Sequence, residues 1–405
     1  MFRIRRRAAG LAAGALLLFV AGTNVQSGWL FVMSSLLLGA VAAGIVLPAR
    51  MVRGVAVERR TPAEAFVGEQ VRVDLVVSSR ARGARLSVML RDPHIAPAIV
   101  FLPAIRPEET LIASTPRRAS RRGVVDGGTV QVASSAPFGV AEVRRSVRAA
   151  GRTVIFPRVV PVRSFPLLEG APSQGEASAV GGRGHGHDFL GVREYQRGDS
   201  LRHVHWPSTA RHGSLIVREF EQDLPGRLIA LIDTWADAGE EETALDLCCA
   251  VVASVSLAAF RSGHRVALAA ARDGEAEPPD EMSRADALTW LAELQAPGGL
   301  SFLAAIERIA VNVQSPGPVL LVFPSFRPNA ARVLVPPVAA LVSRGVRVAA
   351  AVVDAAGLHP SVPVLGRADL EQLIVALAVA GADVYPIQPE EDLAACLTRP
   401  PVRVG

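Results

Sequence analysis

Two apolar runs at the start of the chain constrain its fold more than any other feature. Residues 8–25 and 29–47 contain no charged side chain, and a short turn at residues 26–28 separates them. Each run approaches the roughly 20 residues that an α-helix needs to cross a bilayer. A cleaved signal peptide also has a basic head and an apolar centre, but the second apolar run favours a transmembrane helical hairpin over residues 1–50.

The arginines beside this hairpin predict its orientation. Four precede the first run and four follow the second: Arg3, Arg5, Arg6, Arg7, Arg50, Arg53, Arg59 and Arg60. The turn between the runs has none. Because positively charged flanks stay on the cytoplasmic side, we expect an inner (plasma) membrane protein whose termini and soluble domains are all cytoplasmic.

The chain has arginine but no lysine, and its charges are unevenly distributed along the sequence. All 43 basic residues are arginine, which excludes a P-loop lysine and a Schiff-base lysine. Residues 51–163 hold 19 arginines and 9 acidic residues, whereas residues 228–405 hold 12 arginines and 21 acidic residues. A basic segment beside a membrane suits anionic headgroups, so membrane lipid is a predicted partner. No nucleic-acid partner is predicted, because aromatic residues do not alternate with the basic ones.

Residues 51–163 have the pattern of an all-β domain. Short runs with β-strand alternation, such as residues 71–76, 86–90, 111–114, 129–133 and 153–156, are separated by turns rich in Gly, Pro and Arg. This spacing is typical of an immunoglobulin-like sandwich, here without the Cys–Trp–Cys pattern of antibody domains. Residues 164–183, which contain Gly, Ser and Pro, are predicted to be a linker.

Residues 227–405 change to β/α alternation. Apolar strands are predicted at residues 228–232, 266–270, 319–323, 346–353 and 383–387, with helices near 243–260, 284–294, 302–311, 330–342 and 370–379 and from 390. Strands that are apolar on both faces and separated by helices predict a doubly wound parallel sheet. Ligands of such sheets bind at the carboxyl ends of the strands, here near Asp233, Pro324 and Asp354.

The strand order and the terminal Asp233 resemble a von Willebrand factor type A domain, which often carries a metal site written Asp-x-Ser-x-Ser. Here Trp235 stands at the first serine position and Asp237 at the second, and Leu300 falls where a distal threonine ligand is expected. Mg²⁺ requires several well-placed oxygens. Asp233 and Asp237 are therefore candidate ligands of a degenerate Mg²⁺ site, and the expectation is a chain without a bound cofactor.

The segment at residues 184–226 holds five of the eight histidines. His203 and His205 are two residues apart on a predicted strand, so both would point to one face. With His187 and Asp188 they could provide zinc ligands, but the spacing lacks the specific patterns of zinc sites. A metal-dependent enzyme built on His187, Asp188, His203, His205 and Asp233 stays open as an alternative.

Arginines and acids are dense in the same segment. They could form an ion-pair lattice that joins this segment to the α/β domain, or a pocket for an anion or partner. No nucleophile motif is present, so no catalytic residue and no enzyme activity are predicted. Cys248, Cys249 and Cys396 are predicted to be buried core thiols in a reducing compartment.

Several motifs together resemble the domain of unknown function 58 family. They read FLGVREYQRGD at 189–199, LRHVHW at 201–206, AR at 210–211 and LIVREF at 215–220, with PFGV at 137–140 and IFPR at 155–158 upstream. The resemblance implies a partnership with a MoxR-type AAA+ ATPase and, through shared gene neighbourhoods, with other membrane proteins. It implies partner-binding or structural roles for Arg193, Glu194, Tyr195, Asp199, Arg202, His205, Trp206, Arg211, Arg218 and Glu219.

The predicted function is therefore a non-enzymatic, membrane-anchored adaptor that works with such an ATPase in protein assembly or activation. The alternatives are the metal-dependent enzyme and a cell-envelope binding protein. The envelope-binding alternative requires the soluble domains to face outward.

Overall fold

In a computed structural model, the described residues are 2–4, 6–168, 183–195, 204–221, 226–234, 243–272, 275–276, 280–295, 302–312, 317–325, 330–356, 358 and 365–404. The chain forms two compact units, Met1–Phe156 and Pro157–Gly405.

The first unit begins with the apolar hairpin. A short strand, β1 (Phe2–Ile4), precedes helices α1 (Arg6–Val25) and α2 (Gly28–Met51). Ala8–Val25 and Gly28–Met51 are each long and apolar enough to cross a membrane. The Ser34 hydroxyl on α2 donates a hydrogen bond to the Ala15 carbonyl on α1, with 2.7 Å between the oxygens. Polar contacts of this kind hold helices together in lipid.

Ten strands follow α2. They are β2 (Val55–Arg60), β3 (Glu64–Phe66), β4 (Gln70–Ser79), β5 (Arg85–Asp92), β6 (Ala98–Ile105), β7 (Thr110–Arg118), β8 (Gly123–Asp126), β9 (Thr129–Ser134), β10 (Ala141–Arg148) and β11 (Arg152–Phe156). The predicted strands coincide with β4, β5, β7, β9 and β11. All-β structure in this part of the chain is thus confirmed.

These strands form three sheets, with orders β1-β10-β9-β5-β6, β2-β4-β7 and β3-β11-β8. The five-stranded sheet and the β2-β4-β7 sheet share one apolar core. Leu75 and Val77 come from one sheet and Val88, Leu90 and Val132 from the other, and all are buried. Alternation of apolar and polar residues along each strand therefore produces a sandwich.

Residues on both sides of the hairpin enter this sandwich. β1, which precedes α1, pairs antiparallel with β10, Ile4 lying opposite Ala141. β2, which follows α2 after a turn of three residues, pairs antiparallel with β4. The chain thus leaves the sandwich at Ile4 and returns to it at Val55.

A buried cluster of charges joins the two facing sheets. Asp92, at the end of β5, accepts hydrogen bonds from Arg59 of β2 at 2.7 and 3.3 Å. Asp92 also forms an ion pair with Arg117 of β7, whose Nη2 lies 3.0 Å from Asp92 Oδ2. The three side chains are almost wholly buried. Because the two arginines and the aspartate come from opposite sheets, the ion pairs fix how the sheets face each other.

His94 lies beside this cluster. Its backbone N–H donates to Asp92 Oδ1 at 3.1 Å, and its Nε2 lies 3.4 Å from the Thr153 hydroxyl on β11. Burial and the charge of Arg59 lower the pKa of His94 to about 4, although the Asp92 carboxylate opposes this shift. Burial raises the pKa of Asp92, but hydrogen bonds from Arg59 and His94 and the arginine charges outweigh it, so that pKa lies below its usual value.

The second unit begins with residues that were predicted to belong to the sandwich and the linker. Within residues 157–168, Val160 N–H donates to the Ser254 hydroxyl at 3.0 Å. Phe165 is buried and stacks on Tyr385, with ring centroids 4.8 Å apart. Residues 164–168 of the predicted linker therefore pack on the α/β domain, because Phe165 and Leu167 are large apolar side chains. Residues 169–182 lie outside the described residues.

A hairpin comes next, followed by a doubly wound sheet. The strands are β12 (Arg183–Glu194), β13 (Ile216–Glu221), β14 (Arg227–Ile232), β15 (Arg265–Arg272), β16 (Glu275–Ala276), β17 (Asp280–Met282), β18 (Val319–Pro324), β19 (Val348–Val353) and β20 (Asp383–Ile387). The helices are α3 (Trp206–His212), α4 (Ala244–Arg261), α5 (Arg284–Glu293), α6 (Phe302–Asn312), α7 (Ala330–Ser343), α8 (Arg367–Val379) and α9 (Leu393–Thr398). The predicted strands and helices match these elements to within three residues, including the last helix. That helix begins at Leu393 rather than near residue 390, because Asp392 caps it.

The sheet order is β15-β14-β18-β19-β20, all parallel, with β16 and β17 antiparallel to β15. Helices α6, α7 and α8 share a buried core with one face of the sheet. Helix α4 also packs against the strands of this sheet. Although α4 is long and apolar enough to cross a membrane, it is almost wholly buried, so it serves as a core helix. The predicted mixed α/β architecture is confirmed.

Asp92→Ala is expected to destabilise the first unit strongly. The substitution leaves two buried guanidinium groups without their counter-charge, which typically costs about 3–5 kcal/mol. The free energy of unfolding of the full-length protein in detergent, measured with denaturant, checks this. Asp74→Ala is the matched control, because Asp74 pairs with the exposed Arg72 on β4 and its loss should change stability little. Equal effects of the two substitutions would contradict the structural role of the cluster.

Acid is expected to destabilise the same unit through His94. The folded protein binds a proton at His94 only near pH 4, whereas an unperturbed histidine does so near pH 6.5. The unfolded chain therefore binds more protons between these values, and stability falls as the pH drops from about 6.5 to about 4. Unfolding free energies of wild type and His94→Gln over this range measure the effect. The variant should show a shallower slope, and identical slopes would refute this assignment.

Candidate functional site

The segment that carries the family-like motifs forms a β-hairpin with a helix inserted between its strands. β12 and β13 pair antiparallel, with Glu194 opposite Ile216 and Arg193 opposite Val217. Val204 makes a single bridge to Val217 from the other side. The chain therefore places α3 directly beside β13.

Helix α3 is fixed at both ends by local interactions. Pro207 lies in its first turn, where a missing N–H costs no hydrogen bond. Gly213 ends the helix with φ of 72°, a left-handed conformation that favours glycine, and its N–H donates to the Thr209 carbonyl at 3.0 Å. The Thr209 hydroxyl accepts a hydrogen bond from Ile216 N–H at 3.0 Å. These contacts hold the helix against the strand that follows it.

The predicted strand through His203, His205 and Trp206 is wrong beyond Val204. Trp206 is the first residue of α3, because Pro207 cannot donate a strand hydrogen bond and is well suited to a helix start. His205 directly precedes the helix. Its backbone N–H donates to the Ile216 carbonyl at 2.8 Å, and its Nδ1 lies 2.7 Å from the Ser208 hydroxyl. The imidazole thus has a local partner in the first turn of α3.

Large apolar side chains, among them a tryptophan, are exposed on this segment. Trp206 is 67% exposed, and Val192 and Leu215 are exposed as well. Glu194 is exposed and accepts a hydrogen bond from the Ser214 hydroxyl at 3.2 Å. An exposed tryptophan on a helix that is held rigidly is typical of a protein-binding surface.

The predicted signature residues divide into three groups. Those whose side chains are described near α3 are Glu194, Tyr195, His205, Trp206 and Arg211. Those with strand positions in β12 and β13 are Arg193, Arg218 and Glu219. Asp199 and Arg202 lie outside the described residues, as does His203, so the predicted arginine–acid lattice is described only in part.

The carboxyl edge of the doubly wound sheet is the second candidate site. Asp233 follows β14 and is buried, and its N–H donates to the Val322 carbonyl at 2.9 Å. The strand order reverses between β14 and β18, so Asp233 and Ser325 stand at the carboxyl ends of the two strands that flank the switch point. This is where ligands of doubly wound sheets bind.

Ser325 was not singled out from the sequence. It is buried, and its hydroxyl accepts a hydrogen bond from Ala355 N–H at 3.0 Å. Asp354, at the end of β19, accepts one from Ala356 N–H at 2.9 Å. The signal that could have identified Ser325 is a serine directly after an apolar parallel strand.

No group of three or more His, Cys, Asp and Glu side chains that could hold a metal ion occurs among the described residues. Asp237, the second candidate Mg²⁺ ligand, lies outside the described part of the chain. Cys248, Cys249 and Cys396 are buried and form no disulfide, in agreement with the predicted buried thiols.

Comparison with known proteins gives one family match. Residues 191–373 match the family described as Protein of unknown function DUF58. The matched region begins within β12 and ends within α8, and it includes α3, Asp233 and Ser325. This match supports membership of that family. Curated proteins give no match to the chain.

Solved structures show weak likenesses. The CARDB domain of the PF1109 protein from Pyrococcus furiosus is 10% identical, covers 24% of this chain and 87% of that domain, and has a TM-score of 0.17. A beta-glucosidase from Listeria innocua is 15% identical over 24% of this chain and 16% of its own, with a TM-score of 0.14. The chain thus spans less than a fifth of the beta-glucosidase, and likenesses at this level identify neither fold nor activity.

Proposed function

We propose that this DUF58-type chain is a membrane-anchored, cytoplasmic-facing adaptor whose second unit docks a MoxR-type AAA+ ATPase. The apolar hairpin provides the anchor, and the helix–hairpin surface around Trp206 provides the docking site. In this proposal the protein acts by binding, and the ATPase provides the energy for assembling or activating other proteins. Other membrane proteins of the same gene neighbourhood are further candidate partners.

The single observation that carries the proposal is the exposure of Trp206. Burying a tryptophan side chain removes a large apolar area from water, and tryptophan is among the residues that dominate binding energy at interfaces. The contacts of Pro207, Thr209 and Gly213 fix the helix that presents this side chain. A partner would therefore meet a surface that is already ordered, which lowers the entropic cost of binding.

The charge of the second unit supports a protein partner of complementary charge. Residues 228–405 carry 21 acidic residues and 12 arginines. Such an excess steers association with a basic surface and disfavours acidic partners. It also distinguishes this unit from the basic first unit, which suits a membrane surface.

The proposal includes finer fold assignments for both units. The α/β domain is of von Willebrand factor type A, which is supported by its doubly wound sheet and by Asp233 at the switch point. The sandwich is immunoglobulin-like, which is supported by two facing sheets around one core. Asp233 could contribute to a Mg²⁺ site there only together with oxygens beyond those described, so the adaptor role does not depend on an ion.

An introduced cysteine is expected to show that the sandwich faces the cytoplasm, because arginines flank both ends of the hairpin. Ile99→Cys suits this test, since Ile99 is 57% exposed on β6. A membrane-impermeant maleimide should label this variant only after cells are permeabilised. Wild type is the blank, because its three cysteines are buried. Labelling in intact cells would instead support the cell-envelope binding alternative.

Affinity capture tests the partner. The detergent-solubilised full-length protein, captured from its native cells with and without ATP, is expected to bring down an AAA+ ATPase identifiable by mass spectrometry. Trp206→Ala should reduce recovery at least about tenfold, as a contact worth about 2 kcal/mol would. Val375→Ala is the matched control, because Val375 is 52% exposed on α8 outside the DUF58 match. The proposal fails if neither nucleotide state yields an AAA+ ATPase.

A further inference from the structure

Helix α2 and the loop that precedes β10 are in direct contact. A Cβ added at Gly44 would lie 2.8 Å from the Val140 Cβ, so the helix backbone touches Val140 with no room for a side chain. Val140 is buried and ends the loop of residues 135–140, which leads into β10. The 135–140 loop is therefore held against α2 seven residues before the end of that helix.

The position of Gly44 gives the depth of this contact. The apolar stretch Ala8–Val25 of α1 is about 27 Å long at 1.5 Å per residue, close to the hydrocarbon thickness of about 30 Å. Counted forward from the same turn, the first 18 residues of α2 end at residue 45. Gly44 therefore lies within about one residue, or about 1.5 Å, of the level at which the apolar stretch of α1 begins. A bilayer around the hairpin therefore meets the 135–140 loop.

The side chains around this contact are apolar and exposed. Phe138, in the loop, is 52% exposed. Ile4 of β1 is exposed opposite Ala141, the residue after the loop. Leu86 of β5 is exposed, and its N–H donates to the Met51 sulfur at the end of α2 at 3.4 Å. Large apolar groups thus project from the end of the sandwich that adjoins the helices.

The charges at this end suit lipid phosphates. The segments that meet there are residues 2–4, 50–57, 80–88 and 135–141, which contain six arginines and no acidic residue. Arg85 Nε donates to the Arg53 carbonyl at 3.1 Å, which ties two of these segments together. The acidic Glu108 and Glu109, in the β6–β7 turn, lie at the same end of the strands, because Ile105 of β6 is opposite Arg85 of β5. They are at the far edge of the five-stranded sheet from β10 and β1, so the 135–140 loop and Ile4 are separated from them by the width of the sheet.

We infer that Phe138, Ile4 and Leu86 form an apolar foot that inserts into the headgroup–acyl boundary of the bilayer, with arginines placed at the phosphates around it. Amphipathic elements bind membranes in this way, through apolar groups below the headgroups and cations among them. The inference rests on the membrane anchoring in the proposed function. It goes further by giving the sandwich a lipid contact of its own, which holds the domain close to the membrane surface.

Depth-dependent fluorescence quenching tests this contact. The full-length protein, reconstituted in vesicles of phosphatidylcholine and phosphatidylglycerol, carries an environment-sensitive fluorophore on Phe138→Cys. Spin-labelled lipids quench it from the headgroup, from a shallow acyl carbon or from a deep one. The expected result is a blue-shifted emission that is quenched most by the headgroup and shallow labels. Leu86→Cys provides a second position on the foot if Phe138→Cys does not fold.

Two matched positions calibrate the measurement. Ile99→Cys has similar exposure on the same sheet, but Ile99 pairs with Arg91 at the other end of β5. Arg91 is five residues from Leu86, about 17 Å along the strand. The fluorophore at position 99 should be neither blue-shifted nor quenched. Leu17→Cys, in the middle of α1, should be quenched most by the deep label.

Quenching at position 17 without quenching at positions 138 and 86 would overturn the inference while leaving the membrane anchor intact. Absence of quenching at all these positions would overturn the anchor and the foot together. A blue shift at position 138 without quenching would mean that protein, such as a second copy of the chain, covers the ring, which also overturns a lipid contact. An emission wavelength at position 138 equal to that at position 99 would also overturn the lipid contact.

Discussion

The apolar hairpin is the constraint on which the first unit depends. It consists of two apolar helices with no charged side chain between Arg7 and Arg50, and a chain that crosses a bilayer twice returns to the side on which it began. The sandwich uses this return directly, since β1 before the hairpin and β2 after it belong to one domain. The close approach of Gly44 and Val140 then sets the height of the sandwich relative to the helices. Hairpin and sandwich therefore belong to one compact unit.

Inside that unit, a small number of buried charges decide how the sheets are arranged. An apolar core is non-directional and accepts many relative positions of two sheets. The pairing of Asp92 with Arg59 and Arg117 is directional, and these groups come from opposite sheets. In the second unit, the order of the strands in the sheet determines where the candidate site residues lie. The strand order reverses beside β14, which leaves Asp233 and Ser325 at the strand ends that flank the crevice and leaves α3 with Trp206 on the separate hairpin.

Much of this architecture followed from local pattern, and the failures have identifiable causes. Apolar runs of four to eight residues gave β14, β18 and β19, and the same reasoning gave the helices between them. His205 was placed on a strand because alternation was given more weight than the helix-starting Pro207. No sequence pattern marks Asp92 and His94 as buried, because polar residues at the end of a strand usually face solvent. The position of Ser325 directly after an apolar parallel strand is its one sequence signal, and this signal is weak because a lone serine belongs to no motif with a defined spacing.

The sequence by itself determined the hairpin, the all-β and α/β halves, and the segment that matches the family, because each depends on residue periodicity, composition or a contiguous motif. Only the tertiary structure decided which charges are buried, which loop touches α2, and that Trp206 projects into solvent from a fixed helix. Those properties depend on residues far apart in the chain: Arg59 meets Asp92 across 33 positions, and Gly44 meets Val140 across nearly one hundred. Periodicity carries no information about contacts at such separations, since they form only when whole sheets and helices pack.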